Sequence, residues 1–121
     1  MFNHVFLNVS DYKKSEKFYE ASLTAIGLEI NLQHDSCMAF GSSSQKYLFF
    51  VNQTKTKPTR DMHLAFNANT KEDVNKFFEA AITNGGTSNG GPGLRTEHGP
   101  KYYSAYVMDP DGNNIEAVCN K

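Results

Sequence analysis

The sequence predicts an α+β fold of two tandem βαβββ modules that form a cupped mixed sheet. Three observations carry this expectation. An alternating apolar run opens each half: Val5-Phe6-Leu7-Asn8-Val9 after His4, and Leu64-Ala65-Phe66-Asn67-Ala68 after His63. An aromatic pair then follows at the same distance in both halves, Phe18-Tyr19 and Phe77-Phe78. A glycine closes each unit, Gly27 in the first and Gly86 in the second. One offset of 59 residues superposes all of these landmarks. Self-similarity at a fixed period marks repeated structural units.

Each element has its own local signal. Residues 4–9 alternate as a half-buried strand, with Val5, Leu7 and Val9 on one face and His4, Phe6 and Asn8 on the other. Ser10 or Asp11 can cap a helix whose stripe is Ser15, Phe18, Tyr19, Ser22, Leu23 and Ile26. Gly27 offers the helix a stop with positive φ. Leu28–Leu32, Cys37–Gly41 and Tyr47–Val51 read as three short strands, with Ser42-Ser43-Ser44 as a turn.

The polar stretch 53–61, which contains Pro58, reads as a linker between module one (1–52) and module two (62–121) of one domain spanning 1–121. The strand 63–68 repeats the first, and Asn69 or Thr70 caps a second helix with the stripe Val74, Phe77, Phe78, Ala81 and Ile82. Glu72 and Asp73 lie in its first turn, at the positive end of the helix dipole. Gly85-Gly86 ends it. Residues 85–101 are rich in glycine, proline and polar residues and read as a long irregular segment, which in a compact domain is usually functional or mobile. Tyr102–Met108 and Asn114–Cys119 are the last two strands, joined by a tight turn at Asp109-Pro110-Asp111-Gly112-Asn113.

Composition narrows the function. At 121 residues, with 39% hydrophobic and 21% charged content, the chain suits a soluble globular domain with a real core. A net charge of −1 gives no reason to expect nucleic-acid binding, and no apolar run is long enough to span a bilayer. The N-terminus carries no signal-peptide pattern, and a cytoplasmic location is expected. Two cysteines, Cys37 and Cys119, are too few for a disulfide framework.

Strand parity points to a site. The apolar set of each histidine strand should pack under its helix, so His4 and His63 face the open side of the sheet. In the last strand Ile115, Ala117 and Cys119 form the apolar set, leaving Asn114, Glu116 and Val118 on that open side. His4, His63 and Glu116 are thus expected on one concave surface. Two imidazoles and a carboxylate suit a divalent metal with open positions. Sliding the last hairpin onto the first half with an offset of 67 residues sets Phe49 opposite Glu116. Three protein ligands are therefore expected rather than four, with an apolar wall at Phe49.

Taken together, His4-Val5-Phe6-Leu7-Asn8-Val9-Ser10-Asp11, Phe18-Tyr19, Gly27-Leu28, His63-Leu64-Ala65-Phe66 and Asp109-Pro110-Asp111-Gly112-Asn113-Asn114-Ile115-Glu116 resemble the vicinal oxygen chelate superfamily. This is the fold of glyoxalases, bleomycin-resistance proteins and ring-cleaving dioxygenases. The resemblance implies that His4, His63 and Glu116 hold the metal (zinc, nickel, iron or manganese). Glyoxalase I proper has a further glutamate in its first module, where Phe49 stands here. Gly91-Pro92-Gly93-Leu94-Arg95 through Tyr102-Tyr103 resembles a small glyoxalase-like subgroup. By analogy Tyr102, Ser104 and Tyr106 turn toward the site, and a tyrosine hydroxyl can donate to a bound oxygen. Arg95 could pair with a substrate carboxylate or phosphate, and His98 could act as an acid–base group.

The expected function is a divalent-metal-dependent lyase or isomerase acting on a small oxygen-chelating substrate. Glu116, Tyr106 and His98 are its catalytic candidates. Phe49, Arg95, Tyr102 and Ser104 would contact the substrate. An Fe(II) dioxygenase and a non-catalytic drug-binding protein are the alternatives. A homodimer is expected because each module exposes a sheet edge, and the modules are expected to pair within the chain.

Overall fold

The computed structural model describes all 121 residues. Two βαβββ modules follow one another. The first contains β1 (Val5–Val9), α1 (Tyr12–Thr24), β2 (Glu29–Gln33), β3 (Cys37–Gly41) and β4 (Phe49–Gln53). The second contains β5 (His63–Asn67), α2 (Lys71–Thr83), β6 (Thr87–Leu94), β7 (Tyr103–Met108) and β8 (Asn114–Cys119). Each module makes its own four-stranded sheet, in the orders β1-β4-β3-β2 and β5-β8-β7-β6. The β1–β4 and β5–β8 pairs are parallel, and the other pairs are antiparallel. No helix is long and apolar enough to cross a membrane.

The helices begin where capping chemistry puts them. Asp11 accepts a bond from the Lys14 N–H, and Thr70 accepts one from Asp73, each satisfying a backbone donor that the first helical turn leaves free. Both helices lay their stripes on the core. Leu7, Phe18, Leu23 and Phe49 of the first module join Phe77, Val107, Ile115 and Ala117 of the second in one buried cluster. Cys119 belongs to it, and both cysteines are free thiols. Strand β4 starts later than the sequence predicts because Tyr47 has a φ of 57° and turns the chain before the ladder begins.

The segment 85–101 is not irregular throughout, since Thr87–Leu94 forms strand β6. Its composition hid it. The register with β7 shifts between Ser88 and Gly90 and again between Gly90 and Gly93, so the strand has no clean period of two. Pro92 is tolerated because β6 is an edge strand, where a missing N–H breaks no second ladder.

The tight turn after β7 ties the modules together. Asp109 accepts bonds from the Asp111 and Asn113 N–H groups, both at 2.9 Å, and from the Asn113 side chain at 3.0 Å. The Tyr19 hydroxyl, from α1 of the other module, donates to the same carboxylate. Burial and the Asp109 charge push the Tyr19 phenol well above its ordinary pKa, so it stays a donor. Ser10 donates to Asp111 through its backbone and its hydroxyl. Asn113 bridges to the linker, donating to the Thr59 carbonyl at 2.9 Å and accepting from Met62 at 3.1 Å.

Candidate functional site

The open face of the second sheet carries a hydrogen-bonded cluster centred on Glu116. In β5 and β8 the register sets His63 beside Asn114 and Ala65 beside Glu116. In β7 it sets Tyr106 opposite Glu116 and Ser104 opposite Val118. The alternate residues Leu64, Phe66, Ile115 and Ala117 pack into or against the buried core. Glu116 is only 2% exposed, so its carboxylate has lost almost all contact with water and requires partners. It has two. His63 Nε2 lies 2.9 Å from one oxygen, and the Tyr102 hydroxyl donates to the other at 2.6 Å.

The surroundings are aromatic and polar. The His63 and Tyr106 rings meet edge-on, 6.0 Å apart, and the His98 ring lies 5.1 Å from Tyr102. The Arg95 guanidinium sits 5.4 Å over the Tyr106 ring. Ser104 Oγ and Asn114 Oδ1 are buried without a hydrogen-bond partner. Asn114 was not among the sequence-derived candidates. Its place beside His63 in the ladder was the available signal, since parity already set it on the open face.

Hydrogen bonding to Glu116, and secondarily burial, raises the Tyr102 pKa to about 12. The fold therefore favours the neutral phenol. This contribution to stability is fully present below about pH 10, the ordinary value, and fades as pH rises through about 12. In Glu116→Gln, Tyr102 is expected to ionise closer to its ordinary value. A phenolate absorbance titration, with Tyr102→Phe subtracted to isolate this tyrosine, checks it. An unchanged Tyr102 transition in Glu116→Gln would contradict the assignment.

Two sequence expectations need correction. His4 does not join His63 and Glu116 within the chain, where no group of three His, Cys, Asp or Glu side chains could hold a metal ion. Its ring packs at 5.5 Å from Phe6 and 5.8 Å from Phe50, and Asn3 is its hydrogen-bond partner. Parity fixes which face of its own sheet a residue takes, but not where two sheets stand relative to each other. His4 and Glu116 belong to different sheets.

Phe49 does not line the open face beside the metal position. Val5 pairs with Phe49 as Leu64 pairs with Ile115, so the counterpart of Glu116 is Phe50. Phe49 instead faces the core, 2% exposed, against Tyr19, Phe40 and Phe66. Phe50 stacks on Phe6 with ring centroids 4.4 Å apart.

The donors of the second sheet suit a divalent ion in kind. An imidazole and a buried carboxylate share one place, and the carboxylate has no lysine or arginine partner. In number they fall short, because one chain brings two such donors together rather than three.

Two tandem βαβββ modules, with a histidine–glutamate pair on the sheet of the second, are the architecture of one superfamily. The chain belongs to the Glyoxalase/Bleomycin resistance protein/Dioxygenase superfamily, whose sequence profile matches residues 1–117. A glyoxalase/bleomycin resistance protein from Albidiferax ferrireducens T118 is 32% identical, with a TM-score of 0.85 over 100% of this chain and 99% of its own. A glyoxalase/bleomycin resistance protein/dioxygenase family enzyme from Burkholderia phytofirmans PsJN shares the fold at 19% identity, with a TM-score of 0.71 and 98% coverage of both chains. A glyoxalase-related enzyme from Fulvimarina pelagi does so at 20% identity and a TM-score of 0.75, over 99% of this chain and 88% of its own. No curated protein matches the sequence significantly.

Proposed function

We propose that the protein is a divalent-metal-dependent enzyme of lyase or isomerase type, acting on a small substrate with two adjacent oxygens. The observation that carries this reading is the buried Glu116 carboxylate, whose only cationisable partner is the half-exposed His63. His63 and Glu116 would hold the ion. His4 of a second copy would complete the set, which makes the working form a homodimer. The exposed aromatic face around His4 supports this, because Phe6 is 50% exposed and stacks with Phe50. Covering such a face removes apolar area from water.

A bound divalent ion would act as a Lewis acid that stabilises negative charge on substrate oxygens. The chain's own groups do the rest. Tyr102, kept neutral, orients Glu116 and can donate to substrate. Glu116, once relieved of the His63 contact, can take or return a proton. Tyr106 walls the site, and His98 stands behind Tyr102 as an exposed acid–base group.

Metal analysis of the purified protein is expected to find stoichiometric divalent metal, lost in His63→Ala and in Glu116→Gln, since a site left with fewer ligands holds an ion poorly. Mixing His4→Ala with Glu116→Ala chains is expected to restore part of the binding through hybrid dimers. Wild-type protein that stays metal-free after loading would overturn the metal reading. Metal binding by a strict monomer would overturn the shared site.

A further inference from the structure

Arg95 is the one strong cation poised over this cluster, and it has no acidic partner. The ion pairs of the chain are Lys13–Glu16, His63–Glu116 and Lys76–Glu72. Arg95 is nevertheless held in place rather than left to solvent. Its guanidinium lies over the Tyr106 ring, and Nη2 donates to the Gly91 carbonyl. The strand beneath is cut away to admit it. A Cβ at Gly93 would lie 2.9 Å from Nη1, and one at Gly90 would lie 3.0 Å from the Tyr106 ring and 3.5 Å from Nη2. Gly90 also has a φ of +142°, where a side chain would be strained.

We infer that Arg95 is a substrate-reading residue, and that the substrate carries a carboxylate at the end remote from its paired oxygens. This rests on the site proposed above and names its substrate class. The Tyr106 ring borders both groups, 5.4 Å from the guanidinium and 6.0 Å from the His63 ring. One guanidinium compensates a single negative charge. Its planar fork keeps free N–H donors after the Gly91 contact, and such a fork matches a carboxylate. The stacked, half-buried setting pre-organises the fork, so little side-chain freedom remains to be lost on binding.

Two probes separate the ends of the site: 3,4-dihydroxybenzoate has adjacent oxygens and a remote carboxylate, and catechol has the oxygens alone. Both are titrated into the full-length protein, metal-free and zinc-loaded, and followed by nuclear magnetic resonance. The acid is expected to bind on the order of tenfold more tightly than catechol, as a charge-assisted pair should allow. Arg95→Gln should erase that preference, and Arg95→Lys should keep only part of it. Zinc dependence of either probe reports on the metal reading. The acid-over-catechol ratio, read in either form, reports on Arg95. Equal binding of the two probes, absence of acid binding, or a preference that survives in Arg95→Gln would each overturn the inference.

Discussion

Phe49→Glu is expected to destabilise the protein by about 3–5 kcal/mol from the lost aromatic packing alone. The carboxylate it introduces adds a further cost, because it enters an apolar site with no hydrogen-bond partner. Phe49 is 2% exposed and touches Tyr19, Phe40 and Phe66, so no small rotation brings the new group to water. Phe50→Glu should behave differently. It loses the stack on Phe6 but reaches the open face beside His4, and its cost should stay within about 1–2 kcal/mol. Urea unfolding of the two variants tests the difference. Equal destabilisation, or a milder effect at Phe49, would show that the register between β1 and β4 is wrong.

Asp109→Ala is expected to cost about 3 kcal/mol or more, since it strips partners from several donors in one step. The Asp111 and Asn113 N–H groups, the Asn113 amide and the buried Tyr19 hydroxyl all donate to this carboxylate. Tyr19→Phe removes a single donor and should cost less, about 1–2 kcal/mol. Because the network joins the modules, the Asp109→Ala loss should appear as one cooperative transition at lower denaturant. Calorimetry that resolves two separate transitions in the wild type would contradict this.

The fold was legible because its signals are local. Alternating runs, capping residues and helix stripes depend on neighbours a few positions apart, and they located both helices and the histidine strands. Strand β6 was not legible, because Gly90, Gly91 and Gly93 carry no side chain to show a period and the bulges break the alternation. Parity set His63 and Glu116 on one face, and the family resemblance alone brought Tyr102, Ser104 and Tyr106 to the same face. The placement of His4 was not, since it depends on how two sheets stand in space. The Phe49 assignment failed by a single residue, and in a strand one residue exchanges the two faces. The length of the loop before the final strand, which sequence comparison must guess, decided it.

The two halves have diverged by unequal means. Up to the ends of the helices they keep a common register, and the second half then carries its additional residues before β8. Those residues include Arg95 and His98, and they attach to an edge strand with one neighbour only. Changes in length or residue there disturb a single ladder and leave the shared core alone. Such a margin leaves β6 and the turn after it free to vary in sequence, while the buried cluster shared by both halves keeps the domain folded.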